Sequence, residues 1–522
     1  MLRAMTRHFN TAGPCKPEFH YMLPPERRLP EVRALVEQQA YFVVHAPRQV
    51  GKTTALLSLA KSLTAEGRFA AVTVTMETGA AFPDDIGAAE DAILASWRSR
   101  AESWLPPTLR PPPWPQVAAG SRISAALAAW ARACPRPLVA FLDEIDALRD
   151  RVLLSVLRQL REGHPNRPEG FPWSLGLVGL RDVRDDKIAS GGSDSLHTAS
   201  PFNIKAESLT MRSFTADEVE ALYAQHTADT GQRFEDAAVD RAVELTRGQP
   251  WLVNALARQL VQTLVTDRAR AITASDVDRA KDLLIERQDT HLDSLAERLR
   301  DPRVRAVIEP MIQGENLAPI APDDLRFVKD LGLVSERGDG GIEIANPIYR
   351  EIIARQLTVT VRASLPTITP SWLDAEGRLD ADKLLEVFVE FWLGHGEALL
   401  GSSPYNEAAP HLVLMAFLQR VVNGGGRIDR EYAIGSKRLD LCAEFHGERL
   451  AIEVKTWRDS DKTADPAVEG LRQLDGYLAR LGLARGWLVL FDQRKSAPPL
   501  PERQRRERLV TANGRTVDLV RL

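Results

Sequence analysis

Three cysteines in 522 residues, Cys15, Cys134 and Cys442, are too few and too scattered for a zinc site or a disulfide framework. Each reads as a packed or incidental thiol. Long hydrophobic runs are missing as well. No stretch of about 18 apolar residues, the length a membrane span needs, is present, and Met1–Pro17 has no apolar signal core. The expectation is a protein of the reducing cytoplasm with no membrane partner. An excess of charge of one sign is also absent: 67 Lys and Arg face 71 Asp and Glu, a net −4, which excludes a wholesale nucleic-acid coat but leaves local patches open. Hydrophobic and charged contents are those of soluble globular chains, and the length suggests about three domains.

What is present begins with Ala46-Pro47-Arg48-Gln49-Val50-Gly51-Lys52-Thr53. It follows the apolar run Tyr41-Phe42-Val43-Val44 and precedes the helical pattern Thr54–Leu63. A strand, a turn ending in Gly-Lys-Thr and a helix form the context of a phosphate-binding loop. Backbone N–H groups over residues 46–54, with the helix N-terminus, make a concave anion site. Gly51 lets the backbone close around phosphates, Lys52 supplies a point charge for the β/γ-phosphates, and Thr53 can ligate Mg²⁺. The pattern departs once, with Ala46 where a glycine is usual. The bland alternative is a chance Gly-Lys-Thr at a helix start.

Pro137–Leu142 is a short continuous apolar run of the kind buried on both faces of a parallel sheet, and it ends in Asp143-Glu144. An Asp there can hold the water shell of Mg²⁺, and the adjacent Glu can orient and deprotonate an attacking water. Alone, Asp-Glu is also a common solvated strand end. Together with the loop, it makes residues 31–290 resemble the AAA-like ATPases of the P-loop class, close to the signal-transduction and archaeal-type groups. The resemblance implies ATP and Mg²⁺ as cofactors, Lys52 and Thr53 on nucleotide and metal, Asp143 on the metal and Glu144 as catalytic base.

Further along, Ala70–Thr75 is a β-type run, and the proline-dense stretch from Leu105 to Pro115 reads as a surface excursion. Ser174–Leu180 is the next strand; in this fold it lies beside the metal-binding strand. Arg181 and Arg184 after it are candidates for sensing the γ-phosphate, or plain surface arginines. Thr215-Ala216-Asp217-Glu218 is a capping-box signature. Gly248-Gln249-Pro250 resembles the turn by which a helical lid approaches nucleotide, or is a simple helix–helix connection. Residues 300–358 look like a winged helix, with a hairpin tip at Gly338-Asp339-Gly340-Gly341. Such a domain can bind duplex DNA, although Asp323-Asp324 at the start of the would-be recognition helix disfavours phosphate contact and leaves protein packing as the alternative.

A second chemical centre lies near the C-terminus. Arg438–Ala443 alternates like a strand, His446-Gly447-Glu448 turns the chain, and Leu450–Lys455 is the paired strand. Period-2 alternation puts Glu453 and Lys455 on one face, and the hairpin can bring Asp440 beside them. Paired carboxylates can hold a hard cation, Mg²⁺ or Mn²⁺, and an adjacent ammonium can position a water for attack on a phosphodiester. With Gln473 and Tyr477 as a Gln-x-x-x-Tyr helix element and Glu407 on the preceding helix Glu407–Val422, this resembles the PD-(D/E)XK nuclease superfamily. Leu439 stands where the family's proline would be. The resemblance implies Glu407, Asp440 and Glu453 as metal ligands, and Asp440, Glu453, Lys455 and Gln473 as catalytic. The tail Glu502–Arg508 is net basic and suits a phosphate backbone or a solvated surface helix.

The architecture expected is an α/β multidomain chain. An N-terminal extension (1–30) precedes a P-loop ATPase core (31–214), a helical lid (215–290) and a winged-helix-like domain (291–360). A helical linker (361–400) and an α/β restriction-endonuclease-like domain (401–522) complete it. Two readings compete. In one, ATP controls a metal-dependent nuclease acting on nucleic acid, DNA rather than RNA, in defence or repair. In the other, the C-terminal domain of a nucleotide-controlled switch only binds nucleic acid or a protein. Homo-oligomerisation stays open.

Overall fold

The computed structural model describes residues 7–180, 204–287, 295, 297–313, 320–337, 341–364, 372–373, 378–402, 409–422, 426–434, 437–445, 448–457, 459, 465–494 and 496–522. The chain forms two compact units. One comprises Met1–His291 and Pro322–Pro347, the other Leu292–Ala321 and Ile348–Leu522.

The first unit is built on β1 (Tyr41–His45), β2 (Ala70–Thr75), β3 (Leu138–Asp143), β4 (Ser174–Gly179) and β5 (Glu207–Thr210). They pair in the order β2-β3-β4-β1-β5, all parallel. Strands β3 and β4 are buried along their whole length, which explains why their sequences are continuous apolar runs rather than alternating ones. Alternation survives as a choice between two layers. Phe42, Val44, Ala71, Val139 and Phe141 pack under α1 (Glu31–Glu37) and α2 (Lys52–Ala65). Tyr41, Val43, Val72, Leu142 and Leu177 pack against α3 (Ile86–Trp104), α4 (Arg122–Ala133) and α5 (Asp150–Gly163). The proline-dense excursion is pinned down. Trp130 and Trp114 donate their indole N–H to the carbonyls of Leu109 and Leu94, each at 3.0 Å, and Arg98 donates to Pro112 at 2.7 Å.

Helices follow: α6 (Ala216–Thr230), α7 (Asp236–Thr246), α8 (Pro250–Gln259) and α9 (Ala274–Arg287). The capping box at Thr215 and Glu218 closes in both directions. Pro250 leads α8, whose first turn is capped by the Gln249 side chain accepting from Leu252 N at 2.6 Å. After α10 (Pro302–Gln313) of the second unit, the first unit regains α11 (Pro322–Asp330) and the antiparallel pair β6 (Val334–Glu336) and β7 (Ile342–Ile344). Of the expected hairpin tip, 338–341, residues 338–340 lie outside the described residues.

The second unit continues with α12 (Pro347–Ser364), α13 (Ala381–Ser402) and α14 (Ala409–Val422). Then come β8 (Gly426–Ile434), β9 (Lys437–Phe445), β10 (Glu448–Trp457), α15 (Ala467–Leu481), β11 (Arg485–Asp492), α16 (Leu500–Arg503), β12 (Arg505–Val510) and β13 (Thr516–Arg521). The six-stranded sheet has the order β12-β13-β11-β10-β9-β8. An antiparallel meander β8-β9-β10 passes through α15 to β11, which lies parallel to β10. Helix α13, in the stretch read from sequence as a linker, helps build this core: Phe391 stacks on Phe417, and Trp392 lies 4.6 Å from Phe491.

The basic tail differs from the surface helix considered above. Only Leu500–Arg503 is helical; Arg505–Val510 is an edge strand. Arg506 and Arg508 ion-pair with Asp382, and Arg508 and Arg485 hold the fully buried Asp518. Successive residues of a strand face opposite ways, so Arg506 and Arg508 share one face, and both guanidiniums there meet acids. Among the described residues no helix is long and apolar enough to cross a membrane.

Gly176 of β4 tests this packing, because a Cβ there would lie 2.9 Å from Phe42 and 3.0 Å from Phe141. Gly176→Val should overpack the layer under α2, cost about 1–3 kcal/mol and lower the thermal midpoint of the first unit. An unchanged midpoint by calorimetry would contradict the packing described.

Candidate nucleotide and metal sites

Parallel pairing sends the C-terminal ends of β1, β3 and β4 to one edge of the sheet, where the loop after β1 meets the carboxylates after β3. Gln49 and Gly51 both take positive φ, 59° and 98°, so the loop turns back on itself ahead of α2. Ala46, the departure from the usual glycine, is buried in the core under α2, and its amide donates to Gly179 O. Its methyl group is thus accommodated by packing. Lys52 reaches back across the loop, its ammonium donating to the carbonyls of Ala46 at 2.6 Å and Pro47 at 2.9 Å. Burial brings the Lys52 pKa down to about 8, against the opposing pull of Asp146 and Asp143.

Thr53 Oγ1 donates to Asp143 Oδ2 at 2.6 Å across ninety residues of sequence. The other Asp143 oxygen accepts from the amide of Glu144 at 3.0 Å. Burial raises the pKa of Asp143 despite those donors. Glu144 sits in the left-handed region at φ 59°, ψ 39°, a backbone state that costs a non-glycine residue free energy. Its Oε2 accepts from Thr75 Oγ1 at 3.0 Å. Burial pushes its pKa up to about 7, helped by repulsion from Glu77 and Asp143.

Three contributors at this edge were not read from sequence. Thr75 lies opposite Asp143 in the β2–β3 register, and strand adjacency is what the sequence withholds. Asp146 places a carboxylate oxygen 2.8 Å from where a side chain at Gly179 would begin; its place two residues after Glu144 was a usable signal. Arg28, buried in the supposed N-terminal extension, donates to Val50 O of the loop at 2.8 Å and to Arg212 O at 3.0 Å. Its guanidinium lies 4.8 Å from the Phe214 ring, and burial lowers its pKa to about 10. Nothing in a Pro-Glu-Arg-Arg turn announces that role.

Beside Gly51 and Thr54 opens a cavity of about 170 Å³, walled in part by Met22, Pro25, Phe214, Leu222, Pro250 and Trp251. Its outer wall is the N-terminal segment. Cys15 N donates to Thr54 Oγ1 at 3.1 Å, Trp251 donates to Thr11 O at 2.9 Å, and Arg258 to Thr11 Oγ1 at 2.6 Å. The lid-like turn is fixed as well: Gly248, at φ +72°, leaves no room for a Cβ, which would stand 2.0 Å from Phe214 O. The α11–β7 segment also reaches the loop. Gly332, at φ +74°, packs on Pro47, and Arg247 pairs with the buried Glu343 at 3.1 Å. Arg48 lies close enough to Lys52 to oppose its charge. Arg181 and Arg184 lie outside the described residues.

In the second unit, Lys455 donates to Glu453 Oε1 at 2.7 Å, and Glu453 is 2% exposed. The β9–β10 register runs to the pair Leu441–Ile452, so Asp440 and Glu453 are the next positions on the two strands. Helix α15 crosses this face: a Cβ on Gly470 would meet Lys455 Cγ at 3.3 Å and Leu488 at 2.7 Å. Gln473, one turn on, donates to Glu469 at 3.0 Å, while Tyr477 turns into the core. The side chain of Asp440 and the whole of Glu407 fall outside the described residues. Among the described residues no three ligand-type side chains cluster as a ready-made metal site.

No protein-family model matches this chain, and no curated protein matches it. Among solved structures, a Walker-type ATPase of Pyrococcus abyssi aligns over 66% of this chain and 99% of its own at 13% identity, with a TM-score of 0.48. The RuvB Holliday junction branch migration motor of Thermotoga maritima aligns over 63% and 93% at 14% identity and a TM-score of 0.34. The Orc1 protein of Aeropyrum pernix, solved in complex with DNA, aligns over 65% and 94% at 14% identity and 0.34. The sheet of the first unit is itself five-stranded and parallel, with the loop and α2 following its first strand. What the site can do rests on its own geometry.

Arg28→Met should leave Val50 O and Arg212 O without their donor at a cost of about 1–3 kcal/mol, loosening the loop. The expected outcome is a lower thermal midpoint and weaker binding of a fluorescent ATP analogue. Unchanged values for both would remove Arg28 from the site.

Proposed function

We propose that this protein binds and hydrolyses ATP in its first unit and thereby controls a metal-dependent, nuclease-type second unit acting on nucleic acid. The observation that carries the first half is the 2.6 Å hydrogen bond from Thr53 to Asp143. It joins the start of α2 to the end of β3 with two hard oxygens, and the Asp143 carboxylate is buried beside the Lys52 ammonium. That donor set fits Mg²⁺, which when bound with ATP would neutralise phosphate charge. Loop amides and Lys52 hold the β- and γ-phosphates, and the mostly apolar cavity by Trp251 takes the base. Glu144, aimed by Thr75, accepts the proton of the attacking water.

For the second unit, the support is the buried Glu453 bonded to the partly exposed Lys455 on a meander followed by helix and parallel strand, with Asp440 at the neighbouring backbone position. Carboxylate oxygens with no soft ligand suit Mg²⁺ or Mn²⁺, which would supply charge for phosphodiester attack. Glu453 and Asp440 would hold the cation, Lys455 would position the water, and Gln473 would orient substrate. DNA is the expected substrate. The competing reading, a binding module without catalysis, is favoured by the direct bond of Lys455 to Glu453 Oε1, which ties the ammonium to the carboxylate.

Lys52→Ala should abolish tight ATP binding, whereas Glu144→Gln should keep binding and stop hydrolysis. The base must be ionised, and its pKa stands raised to about 7. Hydrolysis should therefore rise with pH through about 7, and Thr75→Val, by removing a donor to the carboxylate, should move that rise to higher pH. A flat profile from pH 5.5 to 8.5 with normal turnover in Glu144→Gln would overturn the assignment.

Plasmid and single-stranded DNA incubated with the protein, with and without Mg²⁺ and ATP, separate the two readings. Cleavage lost in Glu453→Ala and Asp440→Ala, with ATP hydrolysis retained, is the outcome expected. Lys52→Ala should change the cleavage rate several-fold. DNA binding without cleavage under every condition would leave the binding module standing.

A further inference from the structure

Strand β2 is the outer strand of the first sheet. Ala70 N donates to Pro137 O and Met76 N to Asp143 O, so the even-numbered residues of β2 turn their backbone toward β3. Residues 71, 73 and 75 turn theirs to the open edge. Two of these are capped. Thr64 Oγ1 accepts from Ala71 N at 2.9 Å and donates to Ala71 O at 3.1 Å. Trp97 donates to Thr75 O at 3.0 Å.

Thr73 is the exception. It is 3% exposed, and its hydroxyl has no hydrogen-bond partner among the described residues, while its N–H and C=O face an edge where no strand of the sheet lies. Thr73 lines a cavity of about 320 Å³ between α2, the β2 edge and the end of α3. Leu57, Ala60 and the half-exposed Trp104 supply apolar wall. Lys61 and Arg136 are its charged lining, and no carboxylate is among the lining residues. Arg136 donates to Thr64 O at 3.1 Å, and neither cation is in an ion pair within the described residues.

Native proteins rarely leave buried polar groups orphaned without a reason, and an outer strand with open backbone groups is a template for another chain. We propose that this cleft receives a short, extended, acidic segment of a partner protein. One peptide unit of that segment pairs with the N–H and C=O of Thr73, and a carboxylate sits between Lys61 and Arg136. An apolar side chain covers Trp104. A phosphodiester is the wrong shape for this edge, because it brings no donor for the Thr73 carbonyl. The caps at 71 and 75 restrict pairing to a single residue, so specificity falls to the carboxylate. The inference is independent of what the nucleotide and metal sites do.

The test uses the full chain labelled with 5-fluorotryptophan, the Trp104 resonance being assigned with Trp104→Phe. The probe is acetyl-Val-Glu-Val-Glu-Val-amide, and its control has glutamine in place of both glutamates. The acidic peptide should shift the Trp104 resonance saturably, several-fold more tightly than the control, and the difference should shrink as salt rises. Lys61→Gln and Arg136→Gln should each weaken binding several-fold. No saturable shift at millimolar peptide, or equal affinity for the two peptides, would overturn the proposal. A shift produced by raising protein concentration alone, with a dimer in sedimentation, would give the cleft to a second copy and overturn it too.

Discussion

Parallel pairing of β4 with both β1 and β3 is the constraint on which the nucleotide site depends. It brings the loop at 46–53 and the carboxylates at 143–146 to one edge although about ninety residues separate them. Everything local at that edge is then a consequence of closeness. Lys52 folds back on the loop carbonyls, Thr53 meets Asp143, and Thr75 of the next strand reaches Glu144. Without the sheet, Gly-Lys-Thr and Asp-Glu are two short polar stretches with no common chemistry.

The same crowding sets the electrostatics. Burial lowers the Lys52 and Arg28 pKa values and raises those of Asp143 and Glu144. Each shift opposes the charged form, so the edge holds charge at a free-energy cost that an anionic ligand with its cation would relieve. The second unit handles two of its acids, the buried Asp518 and the partly exposed Asp382, differently. Asp518 and Asp382 are met by arginines 485, 506 and 508, and Asp382 is held far below the usual carboxylate range by its Arg485 hydrogen bonds. Each of these arginines is paired to an acid of the same unit, which is the character of a structural ion cluster.

Most elements of the fold were legible because their signals are local. The strands at 41–44, 70–75 and 138–142, the capping box at Thr215 and the proline leading α8 each follow from periodicity or cap chemistry. So does the hairpin-helix-strand run from 438 to 491. What was not legible depends on contacts far apart in sequence. Arg28 bonds to residues 22 and 184 positions away, and Thr75 matters only because β2 lies beside β3. The tail at 502–508 misled because an alternation of arginine and glutamate reads equally as a solvated helix or as an edge strand; the choice is made by β13. Helix α13 looked like a linker because its aromatic residues have their partners, Phe417 and Phe491, further along the chain.

The first unit is discontinuous, and that has a consequence for how it is made. Pro47 and Gly332, which pack together, are 285 positions apart (332 minus 47). At about 5–20 residues per second, a ribosome needs roughly a quarter of a minute to a minute between them. For the last part of that interval, the 122 positions from Thr210 to Gly332 (332 minus 210), the nascent chain carries all five strands and the loop at 46–53, while the piece that rests on Pro47 has not been synthesised. A ligand can reach the loop before the α11–β7 segment arrives, and that segment then docks onto whatever state of the loop it finds.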